Sequence, residues 1–130
     1  MVRQYVEVVW NGGDLDVLAE YVTRDHLRHD PAGDSHGIAQ LAERIGAFCR
    51  AFPDLPFEIE IYAANDGGQT VIRRWLMTGT HMAEYAGVCT TGRSVTSTGM
   101  AISRLERGRI AEEWINRDDL GLLRQLGAVG

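Results

Sequence analysis

The chain has 130 residues, 45% of them hydrophobic and 24% charged, with a formal net charge of −5. That length suits one domain with a core of its own, and the acidic balance argues against nucleic acid or an anionic membrane surface as partner. Its two cysteines, Cys49 and Cys89, form no C-x-x-C pair, which argues against a disulfide framework or a structural zinc site.

In chain order, Val2, Val6, Val9 and Trp10, with Tyr5 beside them, mark one apolar face of a predicted first helix, which Asn11-Gly12-Gly13 ends. Asp14 is placed to cap a short second helix bearing Val17, Leu18, Tyr21 and Val22. The segment "RDHLRHDPAGDSHG" reads as a short extended piece at Leu27–Asp30 followed by a loop. A third helix is predicted from about His36 to Ala51, with Ser35 as cap, a stripe of Ile38, Leu41, Ile45, Phe48 and Phe52, and Pro53 as its stop.

After Pro56 the period becomes alternating. In "FEIEIY", Phe57, Ile59 and Ile61 share one face of a strand, and Glu58, Glu60 and Tyr62 the other. Asn65-Asp66-Gly67-Gly68 supplies a turn, and "QTVIRRWLMTGTH" a long strand. A Gly/Thr-rich loop with Tyr85 and Gly87 leads to a strand from about Ser94 to Leu105. Glu106-Arg107-Gly108 turns it into a last strand, Arg109 to Arg117. A short helix with Leu120, Leu122, Leu123 and Leu126 closes the chain. Helices first, then hairpin-linked strands, predict an α+β fold with helices on one side of an antiparallel sheet and an apolar mouth at one end. No signal-peptide core or membrane-length apolar run occurs, so a cytoplasmic protein is expected.

Strand parity groups Arg73, Trp75, Met77, Gly79 and His81 on one face, and Glu112, Trp114, Asn116 and Asp118 on another. These rows either line one cavity or, for the tryptophans, simply pack in the core. His26, His29, Asp30, His36 and His81 include no H-x-D/E or H-x-x-x-H spacing, and a metal site is not expected. No G-x-S-x-G elbow, P-loop or G-x-G-x-x-G motif is present. What remains is carboxylate chemistry at Asp118 or Asp119, with Asp30 and the pair Glu112/Glu113 as lesser candidates. A carboxylate in an apolar cavity is suited to taking a proton from carbon beside a carbonyl. A helix N-terminus favours its charged form and weakens it as a base. A division of labour resolves this: Asp119 caps the last helix, and Asp118, on the Trp114 face, looks into the cavity.

The segments "VWNGGDLDVLAEYV", "HDP", "AFPDL", "GTH", "TGRSV", "ISRLERGRIAEEW" and "DLGLLRQLG", in this order, resemble the SnoaL-like polyketide cyclases. The resemblance covers about Val2 to Ala128. It implies a strongly curved antiparallel sheet of four to six strands, with N-terminal helices over it, forming a cone with an apolar cavity. It also implies intramolecular aldol closure of an aromatic polyketide ester by acid/base chemistry, with neither metal nor organic cofactor. The family's W-x-x-x-D-x-x-G-L-L pattern falls on Trp114 and Asp118, which makes Asp118 the expected acid/base. His81 of "GTH" is the expected second catalytic residue and His29 of "HDP" a substrate contact. Trp75, Met77, Tyr85, Met100, Trp114 and Asn116 are the remaining expected contacts. "MAEYAGVCTTG" departs from the Gly-containing loop of many members, and substrate choice is expected to lie there. A homodimer or homotetramer is expected on the resemblance alone.

Three other readings stand beside the cyclase. One is a hydroxylating or ring-opening relative that needs a reductase partner, and another a non-catalytic small-ligand-binding domain. The third is water activation as in limonene epoxide hydrolase, which wants an Asp–Arg–Asp set. Arg73, Asp118 and Asp30 are its candidates.

Overall fold

The structure, a computed structural model, describes residues 1–129. Helix α1 (Val2–Tyr5) runs directly into a π-helical segment, Val6–Asn11, and together they bury Val2, Tyr5, Val6, Val9 and Trp10. The wider π turn is closed by Gly12 N–H donating to the Glu7 carbonyl at 2.9 Å, and Trp10, within it, packs into the core. Helix α2 (Leu18–Tyr21) follows. Asp14 does not cap it but accepts from the Asp16 N–H in a local turn. Strand β1 (Val22–His29) is longer than the extended piece expected. The two-residue β2 (Ser35–His36) includes Ser35, so helix α3 (Ile38–Ala51) starts after Gly37 with no side-chain cap.

Strands β3 (Phe57–Asn65), β4 (Thr70–Thr80), β5 (Ser94–Glu106) and β6 (Arg109–Arg117) form successive antiparallel hairpins, and helix α4 (Asp119–Gln125) closes the chain. The six-stranded sheet has the order β2-β1-β6-β5-β4-β3. β1 joins β6 in parallel, so the sheet is mixed, and helices cover one face of it. This is the α+β fold expected from the pattern of elements and the cone implied by the resemblance, with the parallel β1–β6 pair as the departure from an all-antiparallel sheet. Among the described residues no helix is long and apolar enough to cross a membrane.

Two β-bulges decide which side chains face inward. In β3, Ile59 pairs with Trp75 but Ile61 with Arg74, leaving Glu60 unopposed. Each bulge residue shifts the alternation by one. Ile61 is thereby turned outward at 57% exposure, and Tyr62 packs toward the core instead. In β6, Leu105 pairs with Ile110 but Arg104 with Glu112, so Ala111 is the extra residue. Ile110 is buried, and past the bulge Glu113, Ile115 and Arg117 take the inner face. Glu112, Trp114 and Asn116 go to the outer one, the reverse of an alternation read straight through from Ile110.

The core has two clusters. One gathers Tyr5, Val9, Trp10, Leu18, Leu41, Ile45 and Ile110 under the N-terminal helices. The other gathers Phe52, Trp75, Met77, Ala101, Ile115 and Leu122 toward α4. The inner row of β5 is small: Ser97, Gly99, Ala101 and Ser103. Gly99 lies directly under the Trp75 indole, and a Cβ there would overlap the ring. Small residues on this strand, between two clusters of large ones, leave space enclosed by the sheet and α3.

Candidate functional site

That space is a cavity of about 340 Å³. Val6 and Trp10 reach it from the first helix, Phe48 from α3, Phe57 and Ile59 from β3, and Trp75 and Met77 from β4. Ile115 and Leu122 complete its apolar wall. The aromatic side is a series of edge contacts, with Phe57 against Trp10 at 5.5 Å and against Trp75 at 5.8 Å between ring centroids. Exposed Ala32, Ala47, Glu84 and Ala86 frame the mouth, whereas Trp10, Arg28 and Arg73 at the closed end are buried. Tyr85 enters from a tight turn in which Tyr85 and Val88 exchange backbone hydrogen bonds, with Ala86 and Gly87 both at positive φ.

The polar groups of the cavity form two ion-pair systems. In the first, Arg117 donates from both terminal nitrogens to Asp30, each at 2.7 Å, and from Nε to Asp119 Oδ1 at 2.7 Å. Asp30 also accepts from Arg28 Nε at 3.1 Å and from the Ala32 N–H at 2.9 Å, and so is engaged on both oxygens. Burial pushes the Asp30 carboxyl up, but the Arg117 hydrogen bonds, the Ala32 N–H and the charges of Arg28 and Arg117 outweigh it, and the pKa falls to about 2. Arg117, opposed by its own burial, is raised by Asp30 and Asp119. In the second system, wholly buried Glu113 accepts from His26 at 3.0 Å, Ser103 at 2.9 Å and Arg73 at 3.2 Å. Burial alone would raise it, yet Arg73 and His26 hold it well below the carboxylate range. Both carboxylates are therefore ionised clamps that fix arginines in the cavity wall.

Of the residues expected at the site, Trp75, Met77 and Tyr85 line this cavity. Trp114, Met100 and Asn116 lie on the outer face of the sheet, because the Ala111 bulge turns that row of β6 outward and Met100 pairs with Asn116 in the same outer row. His29 is also outside it, half-buried, stacked on Trp114 at 5.5 Å and bonded to Glu112 at 2.6 Å and Asp34 at 3.2 Å. The Glu112 and Asp34 hydrogen bonds raise its pKa. His81 is completely buried and is absent from the cavity wall. Its Nδ1 accepts from the Thr91 N–H at 3.2 Å, and its backbone bonds Arg93 and Gly92, so it clasps the ends of the loop between β4 and β5.

The helix cap falls on Asp118 rather than on Asp119. Asp118 is the N-cap of α4, accepting from the Gly121 N–H at 2.9 Å while exposed to solvent. A Cβ on residue 121 would collide with its carboxylate. Asp119 is held by Arg117, itself a residue of the cavity wall, and its second oxygen makes no hydrogen bond among the described residues. Burial, foremost, raises the Tyr85 pKa, so this hydroxyl stays protonated at neutral pH. An Asp–Arg–Asp set does form, from Asp30, Arg117 and Asp119 rather than from Arg73 and Asp118. Arg28, Arg117 and Trp10 were not singled out from the sequence. The adjacent apolar pair Ile110–Ala111, breaking strict alternation, was the one hint that Arg117 would turn inward. For Arg28 the pattern misleads, since Leu27 is the apolar residue of that stretch and is 37% exposed.

Residues 1–126 match the family model described as SnoaL-like polyketide cyclase. Aklanonic acid methyl ester cyclase DauD of Streptomyces sp. (strain C5) is 26% identical, over 98% of this chain and 80% of that protein. Among solved structures, IdmH, a proposed polyketide cyclase from Streptomyces antibioticus, is 31% identical with a TM-score of 0.82, covering 97% of this chain and 95% of IdmH. AclR, a proposed hydroxylase from Streptomyces galilaeus, is 25% identical with a TM-score of 0.83, covering 98% and 83%.

Proposed function

The chain belongs to the SnoaL-like polyketide cyclases, and from that premise we propose that it closes a ring in a flat, aromatic polyketide-type ester by intramolecular aldol addition. The observation that carries this reading is the apolar, aromatic-walled cavity, whose wall residue Arg117 holds an incompletely engaged carboxylate, Asp119, by a hydrogen bond from Nε. Asp30 is saturated by donors and Asp118 is spent on the helix cap. Among the described residues, no side chain orients Glu84, which is exposed on the loop.

Asp119 takes the acidic α-proton of a β-dicarbonyl unit, leaving an enolate. The enolate carbon attacks a carbonyl carbon of the same molecule, forming the C–C bond and turning that C=O into an alkoxide. The Tyr85 hydroxyl hydrogen-bonds this oxygen, and the proton held on Asp119 returns to it, so product and substrate are isomers. No oxidant or reductant enters. Both reacting ends sit in one slot between Trp75, Met77 and Phe48, and proximity contributes much of the rate. The outer sheet face exposes Leu27, Ile61, Met100, Ile102 and Trp114, which supports association with a second copy through that face.

The Asp30–Arg117–Asp119 set favours a second reading, activation of water for ring opening, and the similarity to AclR a third, hydroxylation. Incubation with aklanonic acid methyl ester, the compound named for DauD, separates them by product mass. An isomer supports the cyclase, and gain of water or of an oxygen atom overturns it. Asp119→Asn is expected to lower turnover about 100-fold or more. Asp118→Asn, which still caps the helix, should leave turnover nearly unchanged. The opposite pattern would return the base to Asp118.

A further inference from the structure

The polar side chains in the cavity wall are largely committed to one another. Arg73 gives its terminal nitrogens to Ser103 and Glu113, Arg117 gives all three nitrogens to Asp30 and Asp119, and Asp30 accepts on both oxygens. Arg28 Nη1 has no partner, but it is sealed in the packing, as are the unpaired hydroxyls of Tyr5 and Ser35. Ser97 is different. It belongs to the wall, its hydroxyl makes no hydrogen bond among the described residues, and its oxygen is not one of the sealed atoms. The residue keeps 9% of its surface, and from the inner face of β5 that surface opens on the cavity.

The strand explains why this hydroxyl is left over. The inner row of β5 runs Val95, Ser97, Gly99, Ala101, Ser103, and the cross-strand partner of Ser97 is Met77. Neither Met77 nor the row neighbours Val95 and Gly99 brings a strong side-chain donor or acceptor. Ser103, in the same row, is wholly buried and its hydroxyl is used twice, accepting from Arg73 and donating to Glu113. Gly99 pairs with Arg117, so Ser97 is the diagonal neighbour of Arg117 on the inner face, at about 7–8 Å in an ordinary antiparallel pair. The chain stays beside β5 past that point, with the Asp118 N–H donating to the Thr98 carbonyl at 3.0 Å. Ser97 therefore stands at the end of the cavity where Arg117 holds Asp119. When a ligand displaces water from this wall, the hydroxyl is left unpaired unless the ligand brings an oxygen to it.

We infer that Ser97 is a specificity-determining residue, whose Oγ hydrogen-bonds one oxygen substituent of a flat aromatic ligand lying along the β4–β5 wall. A hydroxyl both donates and accepts, so it reads a phenol or a ring ketone equally. A ring bearing hydrogen or methyl at that place strands the hydroxyl and is disfavoured. That this ligand is the ester deprotonated by Asp119 rests on the cyclase reading, whereas the contact does not.

Equilibrium dialysis of the full chain against 2-naphthol and against 2-methylnaphthalene, which has nearly the same shape, tests this at pH 7. Ser97→Ala is expected to weaken 2-naphthol about five- to tenfold and to leave 2-methylnaphthalene within about twofold. Ser97→Thr, which keeps the hydroxyl, should restore the wild-type ratio of the two affinities. Ala already occupies this row at residue 101, and urea unfolding checks that Ser97→Ala is folded. Absence of 2-naphthol binding by the wild type, equal weakening of both ligands by Ser97→Ala, or no weakening of either overturns the inference. Selective loss of 2-naphthol in Tyr85→Phe with none in Ser97→Ala overturns it too, by giving the oxygen to Tyr85. Neither ligand can undergo aldol closure. A failed cyclisation assay therefore leaves the Ser97 contact standing, and unchanged ligand preference in Ser97→Ala leaves the cyclase reading standing.

Discussion

Replacing Asp30 by Asn removes the carboxylate that ties Arg28 and Arg117 together inside the cavity wall. The side chain is 3% exposed, and its pKa falls from 3.8 to about 2 in the folded chain. At about 1.36 kcal/mol per pH unit, that difference is worth about 2 kcal/mol of folding stability. The folded pKa lies below the unfolded one. The contribution is therefore complete above about pH 4 and disappears as the pH falls through about 2. Urea unfolding of wild type and Asp30→Asn between pH 2 and pH 7 measures it directly. Asn cannot balance two guanidiniums, so the gap at pH 7 should be at least about 2 kcal/mol and at most about 5 kcal/mol. It should narrow steadily below pH 4. Glu112 and Glu113 also have lowered pKa values and weaken the protein in acid, but they do so in both variants, so the difference isolates Asp30. A gap that does not change with pH, or none at pH 7, would refute the assignment of Asp30 as an ionised clamp.

Gly99→Ala should push the Trp75 indole off β5 and into the cavity. The expected result is a stability loss of about 1–3 kcal/mol together with weaker binding of naphthalene-sized ligands, read by urea unfolding and calorimetry. Unchanged binding would mean that the indole does not border the ligand. Trp114→Glu places a charge in the apolar outer face and should convert an oligomer to monomers in sedimentation velocity, with cavity binding preserved. A wild type already monomeric at micromolar concentration would remove the outer face as an interface.

The order of elements was legible because it depends on local chemistry. The valines and Trp10 of the first helix, the Leu41–Ile45 stripe of α3, Pro53 after that helix and the Glu106–Gly108 turn each act within a few residues. The unbroken alternation of β4 likewise named Trp75 and Met77 as inward-facing, and the cavity wall contains both. The motifs pointed to the family over nearly the whole chain, and the family model matches the same span.

What required the tertiary structure was the phase of the interrupted strands. A bulge is an agreement between two strands about which residue goes unopposed, and one strand's sequence does not contain the other's register. At Ala111 that single residue exchanges Trp114 and Asn116 for Ile115 and Arg117 on the cavity side. At Glu60 it turns Ile61 to solvent. The same holds for the charges. His26, Arg28 and Asp30 are brought to Glu113 and Arg117 by the parallel pairing of β1 with β6, across more than 80 residues of chain. "RDDLG" by itself determined that one aspartate would cap a helix and one would be left over. Only the direction in which β6 delivers Arg117, bonded to Asp119 with Asp118 turned to the Gly121 N–H, decided which was which.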